Sequence, residues 1–188
     1  MAEPQHTLIV FDCDGVLVDS EPLLQRVHTQ LLTEIGWPII VDEIHREHLG
    51  RSTADVIASV EQHIGRSVPV DFLQRRDAMR FELFAADLDA APGVIEALNV
   101  LEGTGFSTCV ASSGSHQAIR LTLRHVGLHG WFAGRIFSAQ DVANGKPAPD
   151  LFMYAATSMG FNPRPFIGHI NGRVLRALMW FAFPKSGH

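Results

Sequence analysis

The stretch Leu8-Ile9-Val10-Phe11-Asp12-Cys13-Asp14-Gly15 is a four-residue apolar run that stops abruptly in acid and glycine. β-Branched and aromatic residues in an unbroken run describe a strand buried on both faces, as in parallel sheets, delivering polar groups at its carboxyl end. Two further runs repeat the pattern. Ser107-Thr108-Cys109-Val110-Ala111 ends in Ser112-Ser113-Gly114-Ser115, and Gly134-Arg135-Ile136-Phe137 leads through a loop to Gly145-Lys146-Pro147. Between them His116 to Val126 has helical character, with Ser115 as its N-cap and Gly127 as its stop. Strands alternating with helices predict an α/β fold with a doubly wound parallel sheet, whose ligands collect beyond the carboxyl ends of the strands. All three polar clusters fall at that edge.

Residues 21–90 behave differently. Leu23, Val27, Leu31 and Ile35 recur at helical spacing, as do Val56, Ile57 and Val60, and no convincing strand interrupts them. The expected organisation is a core domain of residues 1–20 and 91–188 with a helical insertion of residues 21–90. Asp19-Ser20-Glu21 and Asp89-Ala90-Ala91-Pro92-Gly93 would connect the two.

The 188 residues are 46% hydrophobic and 19% charged, with a net charge of −5, which describes a soluble globular protein with one core and a small appendage. The charge is unevenly spread. Residues 151–188 contain Arg164, Arg173, Arg176 and Lys185 but no Asp or Glu, leaving 11 basic against 20 acidic side chains upstream. That acidic balance argues against binding a phosphate backbone, so no nucleic-acid partner is expected. Cys13 and Cys109 are too few for a disulfide framework and lack zinc-site spacing, which fits a reducing cytoplasm. The charge-free run Leu151 to Pro163 is too short to span a bilayer, and no membrane partner is expected.

Asp12 and Asp14 stand two apart at a strand end, and so on one face if strand geometry persists. Two converging carboxylates suit a division of labour in which one attacks and the other moves a proton. A pair of turn-forming aspartates is the plainer reading. Ser112 to Ser115 offers hydroxyls and N–H groups just before a helix, an anion cradle or an ordinary N-cap. Lys146 is either a compact cation for phosphate charge or a solvated loop lysine.

In this order, the Asp pair, helical insertion, Ser-rich strand end and Gly-Lys-Pro loop resemble the haloacid dehalogenase superfamily of phosphohydrolases. Phe11-Asp12-Cys13-Asp14-Gly15-Val16-Leu17-Val18-Asp19-Ser20-Glu21 is similar to the family's first motif over its whole length, Ser112 to the second, and Lys146 in Gly145-Lys146-Pro147-Ala148-Pro149-Asp150 to the third. The resemblance covers about residues 7–163. It implies a Rossmann-like core with a helical cap inserted after the first strand. It also implies that Asp12 is the nucleophile forming an aspartyl-phosphate and Asp14 the general acid/base. Ser112 and the Ser113 amide would hold the phosphoryl group, and Lys146 would orient Asp12 and the phosphate. Mg2+ would bridge Asp12, the Asp14 carbonyl oxygen and a carboxylate of a fourth motif.

Relatives that attack carbon lack an acid at the position of Asp14, so the resemblance implies phosphate chemistry rather than dehalogenation. The β-phosphoglucomutase branch places a histidine where this chain has Leu24, which favours a phosphatase over a mutase. Leu49-Gly50-Arg51-Ser52 resembles the substrate-facing loop of sugar-phosphate and phosphogluconate phosphatases, with Arg51 a planar fork for an anionic substrate. The expected partner is a small phosphorylated metabolite, and the chain is expected to be a monomer.

The resemblance breaks after Gly160. The segment Arg164 to Val174 places Ile167 and Gly168 where the family has acidic residues, and Asp150 is the last carboxylate side chain. Losing one anionic ligand should weaken the metal and leave Asp12 facing a phosphate dianion with less charge compensation. The expectation is a core whose C-terminal part is truncated or altered, and a phosphatase that is impaired. The alternatives are a ligand supplied by His169, Asn171 or the terminal carboxylate, or a catalytically inactive relative that binds phosphorylated ligands.

Overall fold

In a computed structural model, which describes residues 7–38, 53–103, 105–162, 168–169 and 178–180, the apolar run Leu8–Phe11 forms strand β1 with all four side chains buried. Strand β2 is Ser107–Ser112 and β3 is Ile136–Ser138. Both pairings are parallel. Leu8 lies beside Ser107 and Phe11 beside Val110, while Val110 lies beside Ile136 and Ser112 beside Ser138. The three strands therefore end close together at one edge, where Asp12, Ser112 and Ser138 stand.

The described α-helices are α1 (Glu21–Glu34), α2 (Thr53–Ile64), α3 (Phe72–Asp87), α4 (Val94–Glu102), α5 (His116–His125) and α6 (Asp150–Ser158). No helix among the described residues is long and apolar enough to cross a membrane. The chain forms two compact units, Met1–Asp19 with Asp89–His188, and Ser20–Leu88.

The first unit carries the sheet. Alternation along the strands sends Leu8, Val10, Cys109 and Ala111 to one face, where they pack with Leu151, Phe152, Ala155, Ala156 and Phe161 on and just after α6. The intervening Phe11 meets Phe132 edge to face, with ring centroids 5.7 Å apart. Phe132 is fully buried. Burial pushes the Cys109 thiol up to about 12 against a smaller opposing influence of Arg135, so it acts as a small apolar residue. Helix α5 begins at Ser115, whose hydroxyl accepts from Ala118 N at 3.2 Å, and ends at Gly127, where φ is +75° and Leu128 N–H returns to Leu123 O.

The sheet differs from a wholly parallel one on the far side of β1. Its order is β3-β2-β1-β5-β4, with β4 at Gly168–His169 and β5 at Leu178–Trp180. β5 runs antiparallel to β1, and β4 antiparallel to β5. Only residues 170–177 separate β4 from β5, too few for the crossover that a parallel neighbour requires. β3 also begins later than the sequence suggests, because Gly134 turns the chain at φ +76°.

The second unit is helical. Val27, Leu31, Leu32, Ile35 and Trp37 pack with Val60 and Phe72, and the Trp37 ring stacks on His63 with centroids 4.0 Å apart. The α1 positions predicted from spacing, Leu23, Val27, Leu31 and Ile35, are all buried. Arg75 pairs with Glu34, and Arg26 with Asp87 at 2.7 Å, both on the exposed surface and worth little to stability.

Leu151 is fully buried against β1 and β2, whereas Leu121 on α5 is 43% exposed. Leu151→Ala should cost about 2–5 kcal/mol in urea unfolding and Leu121→Ala about 0.5 kcal/mol or less. Equal costs for the two would show that α6 does not pack on the sheet as described.

Candidate active site

The end of β1 is shaped by one tight turn. Gly15 adopts φ +70°, a region that side chains rarely enter, and its N–H donates to Val18 O at 2.9 Å. The Cys13 carbonyl accepts from Leu17 N at 3.0 Å and Val18 N at 3.2 Å. Beyond the turn, Val18 bridges to Ala90, so the chain leaves and re-enters the first unit side by side. Cys13 is buried, while Asp12 and Asp14 on either side of it are half-buried. Strand geometry itself ends at Phe11, and Asp12 to Asp14 lie in the turn that follows.

Asp12 uses both carboxylate oxygens. Oδ1 accepts from Cys13 N at 2.7 Å, and Oδ2 lies 2.7 Å from Lys146 Nζ. Lys146, 134 positions away in the sequence, is thus brought onto Asp12. Its side chain is only 16% exposed, against 30% for Asp12. Nζ also sits 5.1 Å from the centroid of the Phe152 ring, whose face attracts a cation. The contact with Asp12 is an ion pair that misses hydrogen-bond alignment, and Nζ is enclosed with no hydrogen-bond partner among the described residues. A buried ammonium whose donors are not all used is a group built to meet another acceptor.

The Ser112–Ser115 loop stands at the same edge. Ser112 is buried, and its Oγ accepts from Gly114 N at 3.2 Å, an arrangement that leaves the hydroxyl proton to be donated. Ser113 is exposed on the loop and Ser115 is the cap of α5. The cradle and the N-cap, alternative readings of one tetrapeptide, are carried by different serines.

Three residues join this region that the sequence reading did not single out: His116, Ser138 and Asp141. His116 Nε2 lies 2.8 Å from Asp141 Oδ1, and Asp141 Oδ2 accepts from Ser138 N at 2.9 Å. Burial works to raise the Asp141 pKa, but the Ser138 N–H, the His116 hydrogen bond and the charges of His116 and Arg120 outweigh it. They hold the carboxyl below the usual range. The spacing Ser138-x-x-Asp141 is that of a capping box, a signal that would have marked the Ser–Asp pair in advance.

Arg51 and Asn171 lie outside the described residues, as does the side chain of His169. Among the described residues no three His, Cys, Asp or Glu side chains cluster as a metal site.

Residues 6–167 match the family model of haloacid dehalogenase-like hydrolases. The 6-phosphogluconate phosphatase of Escherichia coli (strain K12) is 27% identical over 157 residues, which are 82% of this chain and 69% of that protein. Among solved structures, a conserved haloacid dehalogenase-like protein of unknown function from Agrobacterium tumefaciens str. C58 aligns with a TM-score of 0.74 at 34% identity. That alignment covers 82% of this chain and 69% of the other. A haloacid dehalogenase family hydrolase from Deinococcus radiodurans R1, solved with bound phosphate and sodium, aligns with a TM-score of 0.68 at 29% identity, covering 84% and 69%. The family match runs through β1, the second unit and the Lys146 loop alike, and the chain therefore belongs to the haloacid dehalogenase-like hydrolases.

Proposed function

We propose that the chain is a phosphatase that hydrolyses a small phosphorylated metabolite of the sugar-phosphate class, acting as a cytoplasmic monomer. The observation that carries this reading is the enclosed Lys146 ammonium, 2.7 Å from Asp12 and with donors still to be used. The phosphatase activity of the E. coli relative and the phosphate bound in the D. radiodurans structure support the choice of ligand.

Asp12 attacks phosphorus while the ester oxygen departs, taking a proton from Asp14. Asp14 then removes a proton from water, which attacks the aspartyl-phosphate, releasing inorganic phosphate and restoring Asp12. Ser112 and the Ser113 amide hold the phosphoryl oxygens. Lys146 holds Asp12 in place and spreads the charge that builds on those oxygens.

The family resemblance brings Mg2+ with it. A magnesium ion is commonly held by one or two carboxylates, with waters and substrate phosphate completing its oxygen shell. Asp12 with its carboxylate and Asp14 with its carbonyl oxygen would hold the ion; bound there, it would offset phosphate charge. The chain has no Asp or Glu beyond Asp150 to add. That observation favours a second reading, a weakened relative that binds phosphorylated ligands and turns them over slowly.

Hydrolysis of p-nitrophenyl phosphate and 6-phosphogluconate tests the first reading. Activity should require Mg2+, disappear in Asp12→Asn, and fall about 10²–10³-fold in Lys146→Met, the loss typical of removing one preorganised charge-stabilising group. Hydrolysis that survives Asp12→Asn would exclude an aspartyl-phosphate route. Beryllium fluoride separates the two readings: tight binding with negligible turnover marks the weakened relative, and failure to bind counts against both.

A further inference from the structure

We infer that His116 and Asp141 are positioning residues for the phosphate-accepting loop Ser112–Ser115, clamping it to the end of β3. This rests on the phosphatase reading of the same site. The loop needs such a clamp on simple grounds. Gly114 has no side chain to restrict it, and the local bond from Ser115 to Ala118 N fixes the start of α5 rather than the peptides that precede it. A catalytic cradle gains from donors that are already aimed before the substrate arrives.

The clamp is built from the β3 side, where the register sets Ser138 directly beside Ser112. Ser138 is fully buried, and its hydroxyl donates to the Gly114 carbonyl at 2.6 Å. That bond and the one from Gly114 N to Ser112 Oγ fix the peptide planes on both sides of Gly114. Ser138 is held in turn, because its N–H donates to Asp141 Oδ2 at 2.9 Å and its Oγ accepts from Gln140 N at 3.1 Å. The second Asp141 oxygen reaches His116 Nε2 at 2.8 Å, and the His116 backbone N–H donates to Gln140 Oε1 at 3.2 Å. The bonds leave from Gly114 within the loop and from His116 just after it, and converge on Ser138, Gln140 and Asp141.

A capping role explains only half of this. The box between Ser138 and Asp141 is complete with one carboxylate oxygen. The other oxygen crosses to a residue 25 positions earlier, and His116 supplies no side-chain bond to its own helix terminus, which Ser115 caps. Among the described residues the side-chain hydrogen bond of the His116 ring is the one to Asp141, and Nδ1 is buried with no hydrogen-bond partner.

The test compares His116→Ala, His116→Gln, Asp141→Asn and, on the exposed side of α5, Arg124→Ala. Inhibition by inorganic phosphate, p-nitrophenyl phosphate kinetics and amide exchange are the readouts. His116→Ala and Asp141→Asn should each lose about tenfold in phosphate affinity and in kcat/KM, within the range of a displaced binding group. His116→Gln, which keeps a donor, should recover most of it, and Arg124→Ala should match the parent. The Ser113 and Gly114 amides should exchange about tenfold faster in His116→Ala while Leu121 to Leu123 keep their protection. If His116→Ala does not fold, the near-isosteric pair His116→Gln and Asp141→Asn carries the comparison. Unchanged loop exchange would overturn the clamp even with the phosphatase reading intact. Faster exchange throughout α5 with unaltered phosphate affinity would overturn the positioning role. A parent chain that neither binds nor hydrolyses phosphate would overturn the phosphatase reading and the functional half of this inference with it, leaving the exchange rates to judge the clamp.

Discussion

Parallel pairing of β1 with β2 and of β2 with β3 decides where the reactive groups of this chain stand. A strand covered on both faces has no room for charge along its length, so charge is admitted only where the strand stops. β1 holds four buried apolar residues and then Asp12, and β2 has its last four positions buried up to Ser112. The registers bring those ends beside Ser138 at the end of β3. Three stretches far apart in sequence thus share one edge, and whatever is bound there faces polar groups from all three.

Placement brings Asp12 to this edge, and an enclosed ion pair sets its charge there. Burying the Lys146 ammonium costs solvation, and the cost is offset by Asp12 Oδ2 at 2.7 Å and by the face of Phe152. Phe152 belongs at once to this contact and to the core cluster beneath the sheet, so the cation is referenced to the packing of α6. The approach of the loop is fixed as well, since Asn144 Nδ2 donates to Asp150 Oδ2 at 2.9 Å, tying the loop before Lys146 to the first turn of α6. A lysine free to rotate in water would screen Asp12 weakly; one held in a poorly solvated site acts with a larger effective field.

What the sequence makes legible is local or periodic. The run Leu8–Phe11, the Ser115 cap and the Gly127 stop each carry their signal within a few residues, and each forms as read. The contacts between Asp141 and His116 and between Lys146 and Asp12 depend on separations that no pattern encodes, although family motifs flagged the second pair. The antiparallel β5 was equally hidden. Leu175 to Phe183 is apolar apart from Arg176 and has no clear period, and such a run fits a strand or a buried helix until its neighbour is known.

On the proposed reading, the lack of Asp and Glu among residues 151–188 would change the electrostatic balance of the edge in two opposing ways. A third carboxylate would draw a divalent cation more strongly, and it would also repel a phosphate dianion whenever the cation was absent. Asp12 and Asp14 with Lys146 make a site less negative than one with three acids. Phosphate can therefore approach with less help from a metal, while the metal itself is retained less firmly. On the proposed phosphatase reading binding and turnover come apart, because Ser112, the Ser113 amide and Lys146 would act on the bound phosphoryl group, whereas attack by Asp12 would still have to overcome repulsion between two anions. A chain of this composition would lose the chemical step before it lost its affinity for phosphate.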